Sequence, residues 1–92
     1  MQQRRKEMLF CIAVFNSRTH TLGFIEYMRS RGIDCNAINT PAEAHIGCGI
    51  SAKFPIEYFN FARQVISALS LNSFRGFYSI RKNGIRQTVT RL

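Results

Sequence analysis

The segment Met8–Phe15, with the sequence MLFCIAVF, is apolar throughout and constrains the fold more than any other part of the chain. It is too short for a membrane span, which needs roughly 18 apolar residues. It is also too short for a signal peptide, and no small-residue cleavage site follows it. An uninterrupted apolar run of this length is typical of a strand buried on both faces. We therefore expect Met8–Phe15 to be a central strand.

Two later segments have the periodicity of amphipathic helices. Residues 18–31 place Leu22, Ile25 and Met28 on one face and leave charged side chains on the other. The second helix begins at Pro55, which suits the first position of a helix, and continues with apolar residues at helical spacing. The sequence therefore predicts two helices that each bury one face.

Three further segments are typical of strands. Residues 33–39 and 49–54 alternate apolar and polar side chains, and residues 74–80 contain two adjacent aromatic residues. With the first strand and the two helices they give the order β-α-β-β-α-β, which is characteristic of the ferredoxin-like split βαβ fold. We expect a single α+β domain over residues 8–82, with a four-stranded antiparallel sheet and both helices on one face.

An open sheet face would leave aromatic side chains without cover. Phe10, Phe15, Phe77 and Tyr78 together exceed what one layer of core hides easily. Because an exposed apolar sheet face usually indicates a partner, often a second copy of the chain, we expect a homodimer through this face.

The formal net charge of +8 lies mostly towards the two ends of the chain, with +2 over residues 1–7 and +5 over residues 75–92. Residues 1–7 form a basic N-terminal extension, and residues 83–92 form a basic C-terminal tail that either adds a short hairpin strand or stays mobile. A nucleic-acid surface usually spreads cations over a folded face with aromatic residues ready to stack. Nucleic-acid contact through the basic ends is therefore the less favoured interpretation. Since no segment is long enough to span a membrane, we expect a cytoplasmic protein.

The chain has three cysteines at wide and irregular spacing, Cys11, Cys35 and Cys48, which is not a disulfide framework. With His20 and His45 they form no short ligand spacing of the zinc type, so we expect no metal site. Cys11 and Cys35 lie among apolar residues of predicted strands. We expect both of them in the core.

Cys48 differs from the other two cysteines because Gly47 and Gly49 flank it. Neighbours without side chains let the backbone bend and leave the sulfur uncovered. The thiolate is the reactive form, and a protonated His45 or the more distant Lys53 would favour it. The alternative is that the glycines mark a tight entry into a strand, with Cys48 as a small buried residue and His45 in solvent. If Cys48 belongs to the strand that follows, its side chain points to the same face as Ile50, which can be the buried face.

A set of short motifs surrounds this cysteine. Phe15-x-Ser17, an amphipathic helix, Gly32-Ile33 and Thr40-Pro41 precede a cysteine-glycine pair that lies seven residues beyond the proline. In this order and spacing the chain, from about residue 9 to about residue 81, resembles a family of small bacterial domains described as selenium/sulfur-carrier-like proteins.

The resemblance implies a carrier thiol. Cys48 would accept sulfur or selenium as a persulfide or selenopersulfide from a desulfurase-type donor and pass it to an acceptor enzyme. Gly47, Gly49 and His45 would support it, and no cofactor would be needed. Neither histidine has a visible orienting carboxylate, as a cysteine hydrolase requires, so a carrier is favoured over an independent enzyme.

Two other functions fit the sequence. One is a small protein-binding or regulatory module, contacting protein or nucleic acid, with no chemistry at the cysteine. The other is a redox sensor in which two Cys48 sulfurs pair across a dimer.

Overall fold

A computed structural model describes residues 8–44 and 47–92 of the chain. In chain order its elements are β1 (Met8–Phe15), α1 (Arg18–Ser30), β2 (Asn36–Asn39), a 3₁₀ turn (Ala42–Ala44), β3 (Ile50–Pro55), a second 3₁₀ turn (Ile56–Tyr58), α2 (Phe59–Ala68), β4 (Phe74–Asn83) and β5 (Arg86–Arg91). The predicted α+β class and the presence of two helices are confirmed. However, α2 begins at Phe59 and not at Pro55, and Leu22, which was expected on the buried face of α1, is exposed. Neither helix in the described segments is long and apolar enough to cross a membrane.

The strands form one antiparallel sheet in the order β2-β3-β1-β4-β5. As its apolar run predicted, β1 is central and pairs with β3 on one side and β4 on the other. The prediction of four strands is wrong, because the sheet has five. The chain turns at Gly84, with φ +65°, and residues 86–91 of the predicted basic tail pair along β4.

Alternate residues of β1 contribute to two different apolar layers. Cys11, Ala13 and Phe15 face both helices and pack in one cluster with residues of α1 and α2. The Phe15 ring centroid lies 5.5 Å from that of Phe24, which lies 5.9 Å from that of Phe54. These aromatic contacts join β1, α1 and β3 into the main core, so both helices cover the same face of the sheet.

The opposite side of the sheet, called the second face below, carries Phe10, Ile12 and Val14 together with Tyr78 and Ile80. Phe10 is 9% exposed and Tyr78 is 7% exposed, and Ala44 from the β2–β3 loop packs against their cluster.

The prediction that four aromatic residues lie on an open face is therefore wrong. Phe15 and Phe77 belong to the core under the helices, and Phe10 and Tyr78 are covered within the single chain. The homodimer was expected because aromatic residues on an open face need a partner. Since the single chain covers them, they give no reason to expect a homodimer through this face.

Both ends of α1 have a local physical cause. Ser17 Oγ accepts a hydrogen bond from the His20 backbone N–H at 3.0 Å, which makes Ser17 the N-cap. Gly32 has φ +79° and lies just beyond the last turn, where a left-handed residue ends a helix without strain. β2 begins at Asn36, three residues later than predicted, although Ile33 and Cys35 are buried under the helix as expected.

Candidate functional site

Cys48 lies in the loop that leads into β3, beside the first turn of α1. Its backbone N–H donates a hydrogen bond of 2.9 Å to the carbonyl oxygen of Phe15, the last residue of β1. Its Sγ atom lies 3.7 Å from Thr21 Oγ1 and 3.7 Å from the Ile50 carbonyl oxygen. The cysteine is thus held at the point where β1, α1 and β3 meet. Because β3 begins only at Ile50, strand parity does not decide the direction of the Cys48 side chain.

The three cysteines have different environments. Cys48 is partly exposed, whereas Cys11 and Cys35 are both fully buried, as predicted for core residues. Burial raises the pKa of Cys11 to about 12. Burial also raises the pKa of Cys35 to about 12, although the positive charge of Arg29 opposes the shift. Cys48 is therefore the cysteine that solvent or a partner protein can reach.

The flanking glycines are required by the backbone path. Gly47 has φ +95° and Gly49 has φ +100°, a region that residues with a Cβ atom rarely adopt. A Cβ at Gly47 would lie 2.5 Å from Val14 Cγ1 and 3.0 Å from the Phe15 carbonyl oxygen. A Cβ at Gly49 would meet open space, and the Gly49 carbonyl oxygen accepts a 2.9 Å hydrogen bond from Thr40. Gly47 thus permits close contact with β1, while Gly49 turns the chain into β3.

The Thr21 side chain is fully buried and forms one side of the sulfur's environment. Thr21 Oγ1 donates to the Ser17 carbonyl oxygen at 2.9 Å, which uses the single hydroxyl proton. A neutral Cys48 thiol can therefore donate to Thr21 Oγ1 or to the Ile50 carbonyl oxygen. If the thiol ionises, the Thr21 hydroxyl can rotate and donate to the sulfur instead. Ser17 keeps a 3.0 Å bond from the Thr21 backbone N–H in either case.

Sequence reasoning did not identify Thr21 as part of the site. It lies 27 residues from Cys48 in the chain, inside a helix, and only the folded arrangement brings the two side chains together. A hydroxyl on the buried face of α1, in line with Phe24 and Met28, is the signal that would have found it.

The predicted supporting cations are not part of the described site. His45 lies outside the described residues, so its role stays a prediction. Lys53 lies on the second face, where its Nζ is 4.6 Å from the centroid of the Phe10 ring. His20 joins α1 to the segment before β4, since its Nδ1 lies 2.6 Å from Ser73 Oγ. Over residues 8–44 and 47–92, no group of three His, Cys, Asp or Glu side chains is placed to bind a metal.

A partly exposed cysteine can take part in thiol exchange when its sulfur ionises. Within the described residues, the polar contacts of Cys48 Sγ are with a hydroxyl and a carbonyl, and neither group accepts a proton at neutral pH. Thiol exchange needs an accessible sulfur that can ionise, and its rate depends on access and on the thiolate fraction. A hydrolase needs an adjacent base in addition. Within the described residues, the hydrogen-bond partners of Cys48 Sγ include no such base.

Comparison with known proteins gives one result that bears on this chemistry. Searches of curated proteins and of solved structures give no significant match. A family model described as "Putative Se/S carrier protein-like" matches residues 10–78. The matched segment contains both helices and the Gly47-Cys48-Gly49 loop, and it ends within β4. Since the match covers more than half of the chain, this protein belongs to the Se/S-carrier-protein-like family.

Proposed function

We propose that this protein carries sulfur or selenium on Cys48 and passes it between two partner proteins. Family membership supports the carrier role. The single observation that carries the assignment to Cys48 is its accessibility: Cys48 is partly exposed, while Cys11 and Cys35 are buried, and burial raises the pKa of each of them to about 12. A carrier sulfur must be reached by the donor and then by the acceptor.

Loading is an exchange reaction without net oxidation. The Cys48 thiolate attacks the outer sulfur of a persulfide on the donor, a new S–S bond forms, and the S–S bond within the donor breaks. The donor leaves as a thiolate, and Cys48 becomes a persulfide. With selenium, the thiolate attacks the outer selenium and becomes a selenopersulfide by the same steps. An acceptor nucleophile then attacks the outer atom, and the Cys48 thiolate is released.

The loop around Cys48 suits a transfer between proteins. Gly47 and Gly49 are exposed on either side of the cysteine, so no neighbouring side chain blocks a partner's approach. The Thr21 hydroxyl can donate to the sulfur when it is released as a thiolate. The partners that this chemistry requires are a desulfurase-type donor and an acceptor enzyme. His45 is proposed to favour the thiolate when it is protonated.

We also infer that β1 to β4 and the two helices form a ferredoxin-like split βαβ unit. The strand order β2-β3-β1-β4 and the chain order of these elements support this, with β5 added at the outer edge of β4. Unpaired cysteines at irregular spacing fit a reducing compartment such as the cytoplasm.

The proposal is tested with cysteine persulfide as a low-molecular-weight donor. The protein is incubated with it, alkylated, and measured by intact mass spectrometry, with Cys48→Ser and Cys35→Ala as matched variants. We expect the mass of one additional sulfur atom on the wild type and on Cys35→Ala. We expect no addition to Cys48→Ser. An adduct that persists in Cys48→Ser would show that another cysteine carries the sulfur.

A further inference from the structure

The end of the sheet that holds Cys48 carries arginines from three elements. β1 ends there, and the carbonyl oxygen of its last residue accepts the Cys48 backbone N–H. Because β1, β4 and β5 are antiparallel in turn, β4 begins and β5 ends at this same end of the sheet. The helix α1 also begins there. Each of these three elements contributes one exposed arginine, namely Arg18, Arg75 and Arg91.

The guanidinium group of Arg91 has a defined position on the second face. Its Nη2 donates a hydrogen bond of 3.2 Å to the Arg75 carbonyl oxygen. Its Cζ lies 5.6 Å from the centroid of the Tyr78 ring, within the range of a cation–π contact. Gly76 permits this position, because a Cβ there would lie 2.9 Å from Arg91 Nη2. Contacts with β4 therefore hold this positive charge against the sheet.

The Cys48 loop covers the neighbouring position of the same face. A Cβ at Gly47 would lie 2.5 Å from Val14 Cγ1, so the backbone of Gly47 rests directly on Val14. Val14 is paired with Gly76 across β1 and β4. Because paired residues of two antiparallel strands are neighbours on one face, the Arg91 guanidinium over Gly76 lies next to the loop. The residue before Cys48 and this guanidinium thus occupy adjacent positions.

The other two arginines reach the same loop from β4 and α1. Arg75 follows Phe74, which is paired with Phe15 at the end of β1. Arg18 begins the helical turn whose Thr21 side chain contacts the Cys48 sulfur. The loop therefore has a cation on each of two neighbouring elements in addition to Arg91.

Acidic residues are scarce at this end of the sheet. From residue 58 to residue 92 the sequence contains no Asp or Glu. Asp34, before β2, and Glu57, after β3, lie at the opposite end, and Glu26 lies in the second half of α1. Among the described residues, Glu43 in the β2–β3 loop is the acid at this end. Three guanidinium groups against one carboxylate leave a positive surface, which favours an acidic partner.

We propose, on the basis of the carrier function above, that this surface docks a partner protein whose reacting sulfur lies in an acidic segment. The arginines 18, 75 and 91 attract the carboxylates of that segment and bring its sulfur to Cys48. Exposed charges of this kind act mainly on the association rate and on the choice of partner. A nucleic acid fits less well, because the Tyr78 ring under Arg91 is 7% exposed and leaves no surface on which a base can stack.

Three peptides that differ in charge test the proposal on the full chain. Each has a central cysteine activated as a mixed disulfide with 2-thiopyridine, flanked on both sides by two glutamates, two glutamines or two lysines. The release of 2-thiopyridone measures the rate of attack by Cys48, with Cys48→Ser as the background. Each rate constant is divided by that for 2-mercaptoethanol, which removes differences in the peptides' own reactivity. In 0.1 M salt the screening length is about 10 Å, so distant charges contribute little.

The glutamate peptide is expected to react about fivefold faster than the glutamine peptide, and the lysine peptide about fivefold slower. Arg75→Gln/Arg91→Gln should lose most of this preference, while Arg91→Lys should keep it. Lys82→Gln/Arg86→Gln is the matched control, because it removes the same charge at the other end of β4 and β5, about 17 Å from Arg91 along the strand. Arg18→Gln/Arg75→Gln is a second test variant that leaves the Arg91 side chain in place. Each variant is first checked for an unchanged melting temperature.

Equal normalised rates for the three peptides, in a wild type that still takes sulfur from cysteine persulfide, would overturn this inference and leave the carrier function intact. A preference lost equally in Lys82→Gln/Arg86→Gln and in Arg75→Gln/Arg91→Gln would also overturn it, because total charge would then explain the effect. An RNA decamer that protects Cys48 at a lower concentration than a cysteine-free glutamate peptide does would assign the surface to nucleic acid instead. A wild type that prefers the glutamate peptide but takes no sulfur would count against the carrier function alone.

Discussion

Thr21 Oγ1 and Cys48 Sγ lie 3.7 Å apart and join the first turn of α1 to the loop in front of β3. Thr21 is fully buried, so this side of the sulfur faces the protein interior, while the partial exposure of Cys48 opens its other side to solvent. The side of the sulfur that contacts Thr21 is therefore closed to a partner.

Replacing Thr21 by Val tests this contact. The change keeps the shape of the side chain but removes the hydroxyl that can donate to a thiolate. We expect alkylation of Cys48 by iodoacetamide to slow by about threefold and the free energy of unfolding to fall by about 1 kcal/mol. Thr19→Val is the matched control, because Thr19 is exposed in the same turn. Equal alkylation rates for Thr21→Val and the wild type would show that the hydroxyl does not act on the sulfur.

The two glycines beside Cys48 differ in what an added methyl group would meet. Gly47→Ala combines an unfavourable φ of +95° with a contact of 2.5 Å to Val14 Cγ1. We expect it to lower the free energy of unfolding by about 3 kcal/mol. Gly49→Ala has a similar φ of +100° but open space, so about 1 kcal/mol is expected. Urea unfolding measures both, and a Gly49→Ala variant as unstable as Gly47→Ala would contradict this account of the loop.

The buried cysteines predict how stability depends on alkaline pH. Burial raises the pKa of Cys11 from 9.0 to about 12. Between these values the unfolded chain loses the thiol proton and the folded chain keeps it. Fewer bound protons in the unfolded state mean that the free energy of unfolding falls as pH rises, by about 1.4 kcal/mol per pH unit for one such thiol. Cys35 has the same pKa of about 12 in the folded protein, so it also lowers the free energy of unfolding as pH rises.

We measure the free energy of unfolding in urea at pH 8, 9 and 10. In Cys11→Ala it should fall less steeply with pH than in the wild type. The variants are compared by the change in the free energy of unfolding per pH unit. The absolute free energies are not compared, because the substitution also leaves a cavity that lowers stability. Ala13→Gly is the control, since Ala13 is equally buried in β1 but does not titrate. The same slope in Cys11→Ala as in the wild type would be inconsistent with a protonated Cys11 in the folded protein.

The sequence predicts the parts of the fold that depend on local signals. The apolar run Met8–Phe15 identifies the central strand, because a strand covered on both faces needs apolar residues at every position. Before the first helix, Ser17 and Thr19 are both suitable N-caps, and the folded protein uses Ser17. Gly32 marks the other end of α1 through its left-handed backbone. The glycines around Cys48 likewise predict an unusual backbone and an accessible sulfur.

Features that depend on the assembled sheet are not decided by the sequence. β5 has little apolar signal, since Val89 is its single partly buried residue and its other residues are exposed. The sequence therefore leaves a hairpin strand and a mobile tail as alternatives, and pairing with β4 decides for the strand. The sequence alone does not show that Phe10 and Tyr78 are covered, because the contact of Ala44 with their cluster follows from the folded path of the β2–β3 loop. The contact of Thr21 with Cys48 arises in the same way, from residues distant in the chain.

The central claim is that Cys48 accepts a sulfur atom from a donor protein. It is tested most directly by incubating the protein with a cysteine desulfurase and ³⁵S-labelled cysteine, separating the two proteins, and locating the label by peptide mapping. The label is expected on the peptide that contains Cys48, with release by dithiothreitol and none on Cys48→Ser. A labelled Cys11 or Cys35 peptide, or a protein that takes no label while the desulfurase is active, would contradict the claim.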